Sequence, residues 1–381
     1  MKKEKVLIWL SGGVDSAVAA ALLLQQGYEV VGGFMKNYTS DTGTCTTYKD
    51  AEEAIKVAKH LGIELMSFDL QKEYQERIID YIFSEYQKGV TPNPDVLCNS
   101  LIKFDVFLKK ALELWFDKIA TGHYARIRQV QDASSPSPRR QLRQGIDKRK
   151  DQSYFLSGLD QFQLSKSLFP LGELTKPQVR EKAKEIWLPN AERKDSQGLC
   201  FIGNVPIRQF LMQRFPIKTW DILYTPGENL PTPSSTPGEW KPYEATATKV
   251  GTHQGAYFYT IGQKQGLGLN FKAYVYRIDI ENNILYVTDK DSSALKTHEL
   301  IAKDWHWIDP QSAKQFPASE PENRTSGKIR YRQIPAVTCQ LSPLENGNMH
   351  VIFDQEQRAV APGQVFVAYQ GEICLGSGII A

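Results

Sequence analysis

The sequence has few cysteines and no cysteine pair, and this scarcity disfavours two classes of scaffold. Its five cysteines lie at positions 45, 98, 200, 339 and 374 of 381 residues, with no CxxC spacing. This pattern is unlike a disulfide framework, and it also lacks the ligand spacing of structural zinc sites. We therefore predict no structural metal site, and individual thiols remain candidates for chemistry.

Long apolar runs are also absent. No stretch of about 18 apolar residues occurs, so we predict no transmembrane helix. The apolar run Val6–Leu10 is too short for a signal peptide, and we expect a cytoplasmic protein. The net charge of +3 is too small to indicate nucleic-acid binding by itself. The length predicts two or three domains.

Apolar and amphipathic segments alternate in the first third of the chain. Strands are predicted at 6–10, 28–34, 63–69 and 118–121, and helices at 16–26, 49–61, 71–87 and 99–115. This alternation predicts an α/β fold with a parallel sheet covered on both faces. We assign residues 1–165 to this domain.

The pattern changes twice after the first domain. The segment 131–150 interrupts the alternation: Ser134-Ser135-Pro136-Ser137-Pro138 indicates a loop, and a basic run follows at 139–150. This run is either a solvated insertion or, at its end Lys150, a phosphate contact, which we favour; the role of Arg139–Arg143 stays open. Residues 166–225 are predicted to form a small, mainly helical central domain, and a proline-rich stretch follows. Residues 226–381 are predicted to form a β-barrel. Its predicted strands are 257–261, 274–279, 284–288, 328–333, 337–341, 350–353, 365–368 and 372–380, with hairpin turns at Asn282-Asn283 and Asn346-Gly347.

The segment Ser11-Gly12-Gly13-Val14-Asp15-Ser16 lies between the first predicted strand and helix. Two glycines let backbone N–H groups approach an anion, and a helix start favours negative charge. Asp15 can cap the helix or hold Mg²⁺ near phosphates. The alternative is an ordinary tight turn, but the complete motif in this setting predicts a phosphate site.

Two cysteines have distinctive surroundings. Cys98 follows Asn93-Pro94-Asp95, and Asn99 is predicted to cap the next helix. Cys98 would then lie near a helix N-terminus, a position that lowers the pKa of a thiol. Cys200 follows a polar, glycine-containing run. The remaining three cysteines, at 45, 339 and 374, are interpreted as a loop bystander and two buried apolar side chains.

These motifs together resemble one family. SGGVDS matches the pyrophosphatase-type loop of enzymes that adenylylate a substrate. With both cysteines, the sequence resembles the bacterial-type tRNA-specific 2-thiouridylases over nearly its whole length. The other matching motifs are ATGHYAR at 120–126, KDQSYFL at 150–156, FPLG at 169–172, TIGQ at 260–263, KIRYRQ at 328–333 and PGQ at 362–364.

The resemblance implies a reaction in which sulfur replaces the C2 oxygen of the wobble uridine, position 34 of tRNA. ATP with Mg²⁺ would activate the oxygen, and sulfur would arrive as a protein persulfide. It implies that Cys200 carries the persulfide and Cys98 is the nucleophile, with a transient Cys98–Cys200 disulfide. Whether hydrosulfide is released or the persulfide attacks directly stays open. The implied partners are tRNAs of the Lys, Glu and Gln type, and a sulfur-relay protein or cysteine desulfurase.

The resemblance also implies two sets of binding residues. The nucleotide set is Trp9, Leu10, Ser11, Gly12, Gly13, Val14, Asp15, Ser16, Met35 and Gly122. The tRNA set is Asn93, Pro94, Asp95, His123, Lys150, Asp151, Gln152, Arg330, Tyr331 and Gln364.

Three alternatives stay open. His123, Arg330 and Tyr331 could be structural residues. An iron–sulfur cluster on Asp95, Cys98 and Cys200 is conceivable but not favoured. The whole chain could instead be an ammonia-using synthetase with the same loop, or a non-catalytic RNA-binding protein.

Overall fold

The computed structural model describes residues 3–38, 47–131, 138–194, 205–230, 247–315 and 324–381. Cys45 and Cys200 lie outside these ranges. Among the described residues, none of the helices combines the length and the apolar character that crossing a membrane requires.

The described strands, in chain order, are β1 (Lys5–Trp9), β2 (Glu29–Lys36), β3 (Leu65–Asp69), β4 (Lys118–Ala120), β5 (Ala125–Val130), β6 (Arg139–Gln144), β7 (Ser167–Leu168), β8 (Trp220–Tyr224), β9 (Thr248–His253), β10 (Tyr274–Asp279), β11 (Ile284–Thr288), β12 (Lys296–Trp307), β13 (Thr325–Lys328), β14 (Val337–Pro343), β15 (Met349–Arg358), β16 (Val365–Gln370) and β17 (Ile373–Ile380).

The described α-helices are α1 (Val14–Gln25), α2 (Thr47–Leu61), α3 (Gln71–Tyr74), α4 (Asp80–Gln87), α5 (Pro94–Cys98), α6 (Leu108–Glu113), α7 (Gln161–Ser165), α8 (Lys176–Glu185) and α9 (Ile207–Leu211). A π-helical stretch, Gln75–Ile79, joins α3 to α4, and a second, Asn99–Phe107, joins α5 to α6. Short 3₁₀ turns occupy Ser153–Leu156, Gly227–Asn229, Ala256–Phe258, Ser293–Leu295 and Pro310–Gln315.

The N-terminal sheet is parallel and has the strand order β3-β2-β1-β4-β7. Its strands are buried on both faces: Leu7 and Met35 pack on the side of the helix that carries Cys98, and Ile8 and Phe34 pack on the side of α1. The strand order reverses between β1 and β4. In such sheets ligands bind in the crevice at this reversal, outside the carboxyl ends of the strands.

The C-terminal residues form a closed barrel. Six strands follow one another as β12-β15-β14-β13-β16-β17, and β17 pairs with β12 to complete the ring. The predicted fold class, a parallel-sheet domain and a C-terminal β-barrel, is confirmed. The described residues from 166 to 225 hold α8, α9, β7 and β8, and β8 belongs to a separate four-stranded sheet ordered β10-β11-β8-β9. The domain limits at residues 165 and 225 stay predictions.

The segment 131–150 contains a strand at residues 139–144 that was not predicted. These residues form β6, which pairs with β5 and also with β17 of the barrel. Arg143 and Arg126 both pair with Glu372, at 3.1 Å and 2.6 Å. The hydrogen bond from Lys148, and then that from Arg126, lowers the pKa of the Glu372 carboxyl to about 2. The arginines therefore tie the first domain to the barrel.

Two predicted strands are also wrong. Residues 256–258 form a 3₁₀ turn, because Gly255 and Gly262, at φ of 142° and 82°, bend the chain on either side. The strand predicted at 328–333 ends at Lys328. Strands β5, β7, β8, β9 and β12 were also not predicted.

Candidate functional site

The segment Ser11–Ser16 forms a compact loop between β1 and α1. The Ser16 hydroxyl donates to the Gly13 carbonyl at 3.0 Å and accepts from the Ser11 N–H at 3.2 Å. Gly13 N–H donates to the Ser11 hydroxyl at 3.3 Å. These bonds curl the backbone at the start of α1, the geometry in which helix N–H groups bind phosphate.

Glycine is required at two positions around this loop. Gly12 has a φ of +76°, and a Cβ there would approach the Asp50 carbonyl oxygen to 2.5 Å. Gly122 follows β4, and a Cβ there would lie 2.8 Å from the Ser16 nitrogen. The backbones of both segments therefore pack more closely than a side chain allows, which fits an anion cradle.

The predicted capping role of Asp15 is wrong. The N-cap of α1 is Gly13, with no side-chain bond. The Asp15 Oδ1 atom instead accepts from the Tyr124 hydroxyl at 2.8 Å and from Lys176 Nζ at 2.7 Å. Asp15 thus anchors a cation beside the loop. Within the described ranges, no group of three His, Cys, Asp or Glu side chains is placed so that it could hold a metal ion.

Asn37 is a site residue that the sequence reasoning missed. It follows β2, two residues beyond the buried Met35, and is only 2 % exposed. Among the described residues, neither its Oδ1 nor its Nδ2 atom has a hydrogen-bond partner. Leaving both polar atoms of a buried amide unsatisfied is costly, which points to a ligand at this edge of the sheet. The sequence feature that could have identified Asn37 is its position shortly after a predicted buried strand, where polar ligand-binding residues often lie.

Cys98 ends helix α5, which begins earlier than predicted. Asn93 is the N-cap, and its side chain accepts from the Val96 N–H at 3.3 Å. The predicted cap Asn99 instead donates to the Asp95 carbonyl at 2.9 Å, so its capping role is wrong. Cys98 therefore lies inside a helix rather than at its first residue, and it is 0 % exposed.

His123 lies beyond β4 in a buried aromatic setting. Its Nδ1 atom is hydrogen-bonded to the Thr121 hydroxyl at 2.7 Å, and its ring lies 6.1 Å from those of Phe104 and Phe169. Burial, and then the charge of Lys103, lower the pKa of His123 well below its ordinary value. The imidazole is therefore neutral at pH 7 and is tied into the packing beside Gly122.

The Lys150-Asp151-Gln152 segment is held by internal bonds. Gln152 Oε1 accepts from the Tyr124 N–H at 3.0 Å. Asp151 is buried, accepts from Ser153 and Gly145, and pairs with the buried Lys328 at 3.5 Å. Lys150 is half-buried beside them.

Tyr331 approaches this segment from the barrel. Its hydroxyl donates to the Lys150 carbonyl at 3.4 Å, and its ring lies 4.2 Å from that of Phe155. Burial, followed by the charge of Asp151, raises the pKa of Tyr331 to about 12. The adjacent Arg330 donates to the Arg358 carbonyl at 3.3 Å and is exposed.

Gln364 connects the barrel to the segment before Asn93. Its Nε2 atom donates to the Thr91 and Pro92 carbonyls at 2.9 Å and 3.2 Å. Thr91 N–H in turn donates to the Pro362 carbonyl at 3.1 Å. The structure thus brings Gln364 against the turn that leads to Asn93-Pro94-Asp95.

Cys200 lies outside the described residues, but both flanks of its segment are placed. On the N-terminal side, Asn190 Nδ2 and Arg193 Nη1 donate to the Gly12 carbonyl at 2.8 Å and 2.9 Å. On the C-terminal side, the ring of Phe210 lies 6.2 Å from that of Tyr38, next to Asn37. The residues before the Cys200 segment therefore contact the phosphate loop, and the residues after it contact the end of β2.

Comparison with known proteins gives matches along the chain. Three family models match: the tRNA methyl transferase HUP domain over residues 4–204, the tRNA methyl transferase PRC-barrel domain over 234–289, and the aminomethyltransferase β-barrel domain over 297–380.

Curated relatives match at full length. The chain is 42 % identical to the tRNA-specific 2-thiouridylase MnmA of Haemophilus ducreyi, over 100 % of this chain and 93 % of that protein. It is 43 % identical to the protein of the same name from Bordetella parapertussis, covering 100 % and 98 %. For the one from Christiangramia forsetii the identity is 45 %, covering 99 % and 100 %.

Proposed function

The chain belongs to the tRNA-specific 2-thiouridylase family, and from this we propose that it catalyses ATP-dependent 2-thiolation of the wobble uridine, position 34, of tRNA. One structural observation carries the proposal. The SGGVDS loop lies at the strand-order reversal, and Gly12 has the positive φ that would let the backbone approach phosphate, which supports an ATP site here.

The first step is activation of the uridine by ATP. The C2 oxygen attacks the α-phosphorus, the bond to pyrophosphate breaks, and the N3 proton of uracil leaves to solvent. The Ser11–Ser16 loop would bind the phosphates, and Trp9, Met35 and Gly122 would line the nucleotide. Mg²⁺ would neutralise phosphate charge, with Asp15 as its protein contact.

The second step delivers sulfur. Cys200 would carry a persulfide, and the Cys98 thiol would attack it. A Cys98–Cys200 disulfide forms, hydrosulfide leaves, and hydrosulfide displaces AMP from C2 while N3 regains its proton. In the alternative order, the persulfide sulfur attacks C2 and AMP leaves. The Cys98 thiol then attacks the Cys200 sulfur, which forms the same disulfide and releases the 2-thiouridine while N3 regains its proton. Both routes need a reductant of two electrons to restore the thiols.

The tRNA contacts follow from the same arrangement. Asn93-Pro94-Asp95 would border the target base, with Gln364 fixing the turn before it. Lys150-Asp151-Gln152, His123, Arg330 and Tyr331 would contact or position the tRNA. We further propose tRNAs of the Lys, Glu and Gln type as substrates, a sulfur-relay protein or cysteine desulfurase as donor, and a cytoplasmic location.

The proposal is tested with the full chain, ATP, Mg²⁺, a persulfide donor (a cysteine desulfurase with free cysteine), a dithiol reductant and tRNA that lacks the modification. We expect one 2-thiouridine per tRNA, at position 34, with AMP and pyrophosphate in equal amounts. A tRNA whose wobble uridine is replaced by cytidine is the control and should gain no sulfur. Pyrophosphate release that does not depend on tRNA, without sulfur incorporation, would overturn the proposal and favour a synthetase with another acceptor.

Asn37 gives a separate prediction for nucleotide recognition. A carboxamide presents a donor and an acceptor side by side, which matches the N6 and N7 edge of adenine. Replacing Asn37 by leucine should weaken ATP binding roughly tenfold, the loss of about 1.4 kcal/mol of hydrogen bonding. The ligand-free variant should be at least as stable as the wild type, because it no longer buries an unsatisfied amide.

Calorimetry with a non-hydrolysable ATP analogue and a thermal melt measure the two effects. Asn346→Leu, at the exposed hairpin turn, is the matched control and should leave nucleotide affinity unchanged. A destabilised Asn37→Leu protein with normal affinity would mean that the amide is structural.

A further inference from the structure

Lys103 lies on the same helical stretch as Cys98, five residues further along. The stretch Asn99–Phe107 is π-helical. In a π-helix the hydrogen bonds run from residue i to residue i+5, so residues five apart stack on one side, as they do not in an α-helix. The π form therefore gives Lys103 a different direction from the one that regular α-helical spacing after Cys98 would give. Such π segments are frequent at functional sites.

The Lys103 side chain lies within the protein beside the nucleotide edge. The residue is 2 % exposed, and its Nζ atom lies 4.2 Å from the centroid of the Trp9 ring. Trp9 is the last residue of β1 and lies two residues before Ser11, where the phosphate loop begins. The neighbouring Phe104 packs against His123, which follows β4. The ammonium group is thus placed between the ends of β1 and β4, where the strand order reverses.

We propose that Lys103 is a catalytic residue of the adenylylation step, in which its Nζ atom binds a non-bridging oxygen of the ATP α-phosphate. The inference rests on the proposed function. As the uridine C2 oxygen attacks the α-phosphorus and pyrophosphate departs, negative charge accumulates on these oxygens. A fixed ammonium in a site of low dielectric stabilises that charge more strongly than a solvated one does.

A purely structural role accounts less well for this lysine. Burying an ammonium is costly, and charged side chains are therefore rare at such buried positions. An apolar side chain of similar length would fill the same space without that cost. Because Lys103 lies beside Trp9, near the phosphate loop, its positive charge can bind a phosphate oxygen of ATP.

The test compares Lys103→Met with Lys109→Met. Lys109 is the second residue of α6 on the same helical stretch, is exposed, and pairs with Asp105 at 2.5 Å. The readout is single-turnover release of pyrophosphate with unmodified tRNA and saturating ATP. We expect Lys103→Met to slow it by roughly 10² to 10³-fold, the usual loss for one fixed donor to a developing anion. Lys109→Met should react at the wild-type rate.

Two further measurements keep the outcome decisive. The dissociation constant for an ATP analogue should stay within about tenfold for Lys103→Met, which shows that the site is folded. If that variant does not fold, Lys103→Gln takes its place. The alkylation rate of Cys98 by iodoacetamide should be unchanged.

Pyrophosphate release within about threefold of the wild type would overturn the inference. If Lys103→Met also slows the alkylation of Cys98 in that case, the lysine acts on the Cys98 thiol and not on the α-phosphate. If the wild-type protein releases no pyrophosphate in the presence of tRNA, the proposed function itself is wrong, and the variants need not be compared.

Discussion

Replacing either Cys98 or Cys200 by serine will lower 2-thiouridine formation roughly 10³-fold or more, while tRNA-dependent pyrophosphate release continues in the first turnover. A hydroxyl cannot carry a persulfide, and at neutral pH it is a far weaker nucleophile than a thiolate. Removing one member of a catalytic unit usually costs as much as removing the whole unit. The sulfur step should therefore fail while activation of the uridine survives.

The two variants should differ in what they accumulate. Cys98→Ser leaves Cys200 able to receive sulfur, so mass spectrometry after alkylation should find a persulfide there. Cys200→Ser should show none. Cys45→Ser is the control and should retain activity. Full activity in both variants would contradict the paired-thiol mechanism and favour a synthetase that uses ammonia or free sulfide.

The phosphate loop could be predicted because its chemistry is contiguous in sequence. Ser11, Gly12 and Ser16 lie within six residues, between a strand and a helix that local pattern indicates. Asn37 and Lys103 could not be assigned in the same way. What marks them is burial, an unsatisfied amide and proximity to Trp9, and these properties exist only once distant segments pack together.

The errors in the fold have a similar physical origin. Strand β6 is not recognised in the sequence because its residues are mostly basic and polar. It forms because β5 and residues near 373 supply its backbone partners. The N-cap of the helix that carries Cys98 is predicted six residues too late, at 99 instead of 93, because Asn93 and Asn99 are equally good caps in sequence. In the structure Asn93 is the cap, and Pro94 takes the first helical position, which proline favours. Propensity alone does not choose between the two asparagines.

Replacing Lys328 by methionine should destabilise the protein by about 3 kcal/mol, because it leaves the buried Asp151 carboxylate without its ion pair. A loss of this size should lower the apparent melting temperature by several degrees. Asp151 keeps its bonds from Ser153 and Gly145, which holds the loss at the low end of the range for a broken buried pair. The exposed pair Lys249–Asp221 is the control. Although its atoms are closer, at 2.7 Å, Lys249→Met should cost less than about 1 kcal/mol.

A double-mutant cycle separates the charge from the packing. Lys328→Met combined with Asp151→Asn removes both charges, and the double variant should lose clearly less stability than the sum of the single ones. Strict additivity would contradict the pairing. Since Lys328 precedes Arg330 and Tyr331, and Asp151 lies between Lys150 and Gln152, the buried pair fixes two segments proposed to contact tRNA relative to each other. The single variants should therefore bind tRNA more weakly than their stability alone explains, whereas Lys249→Met should not.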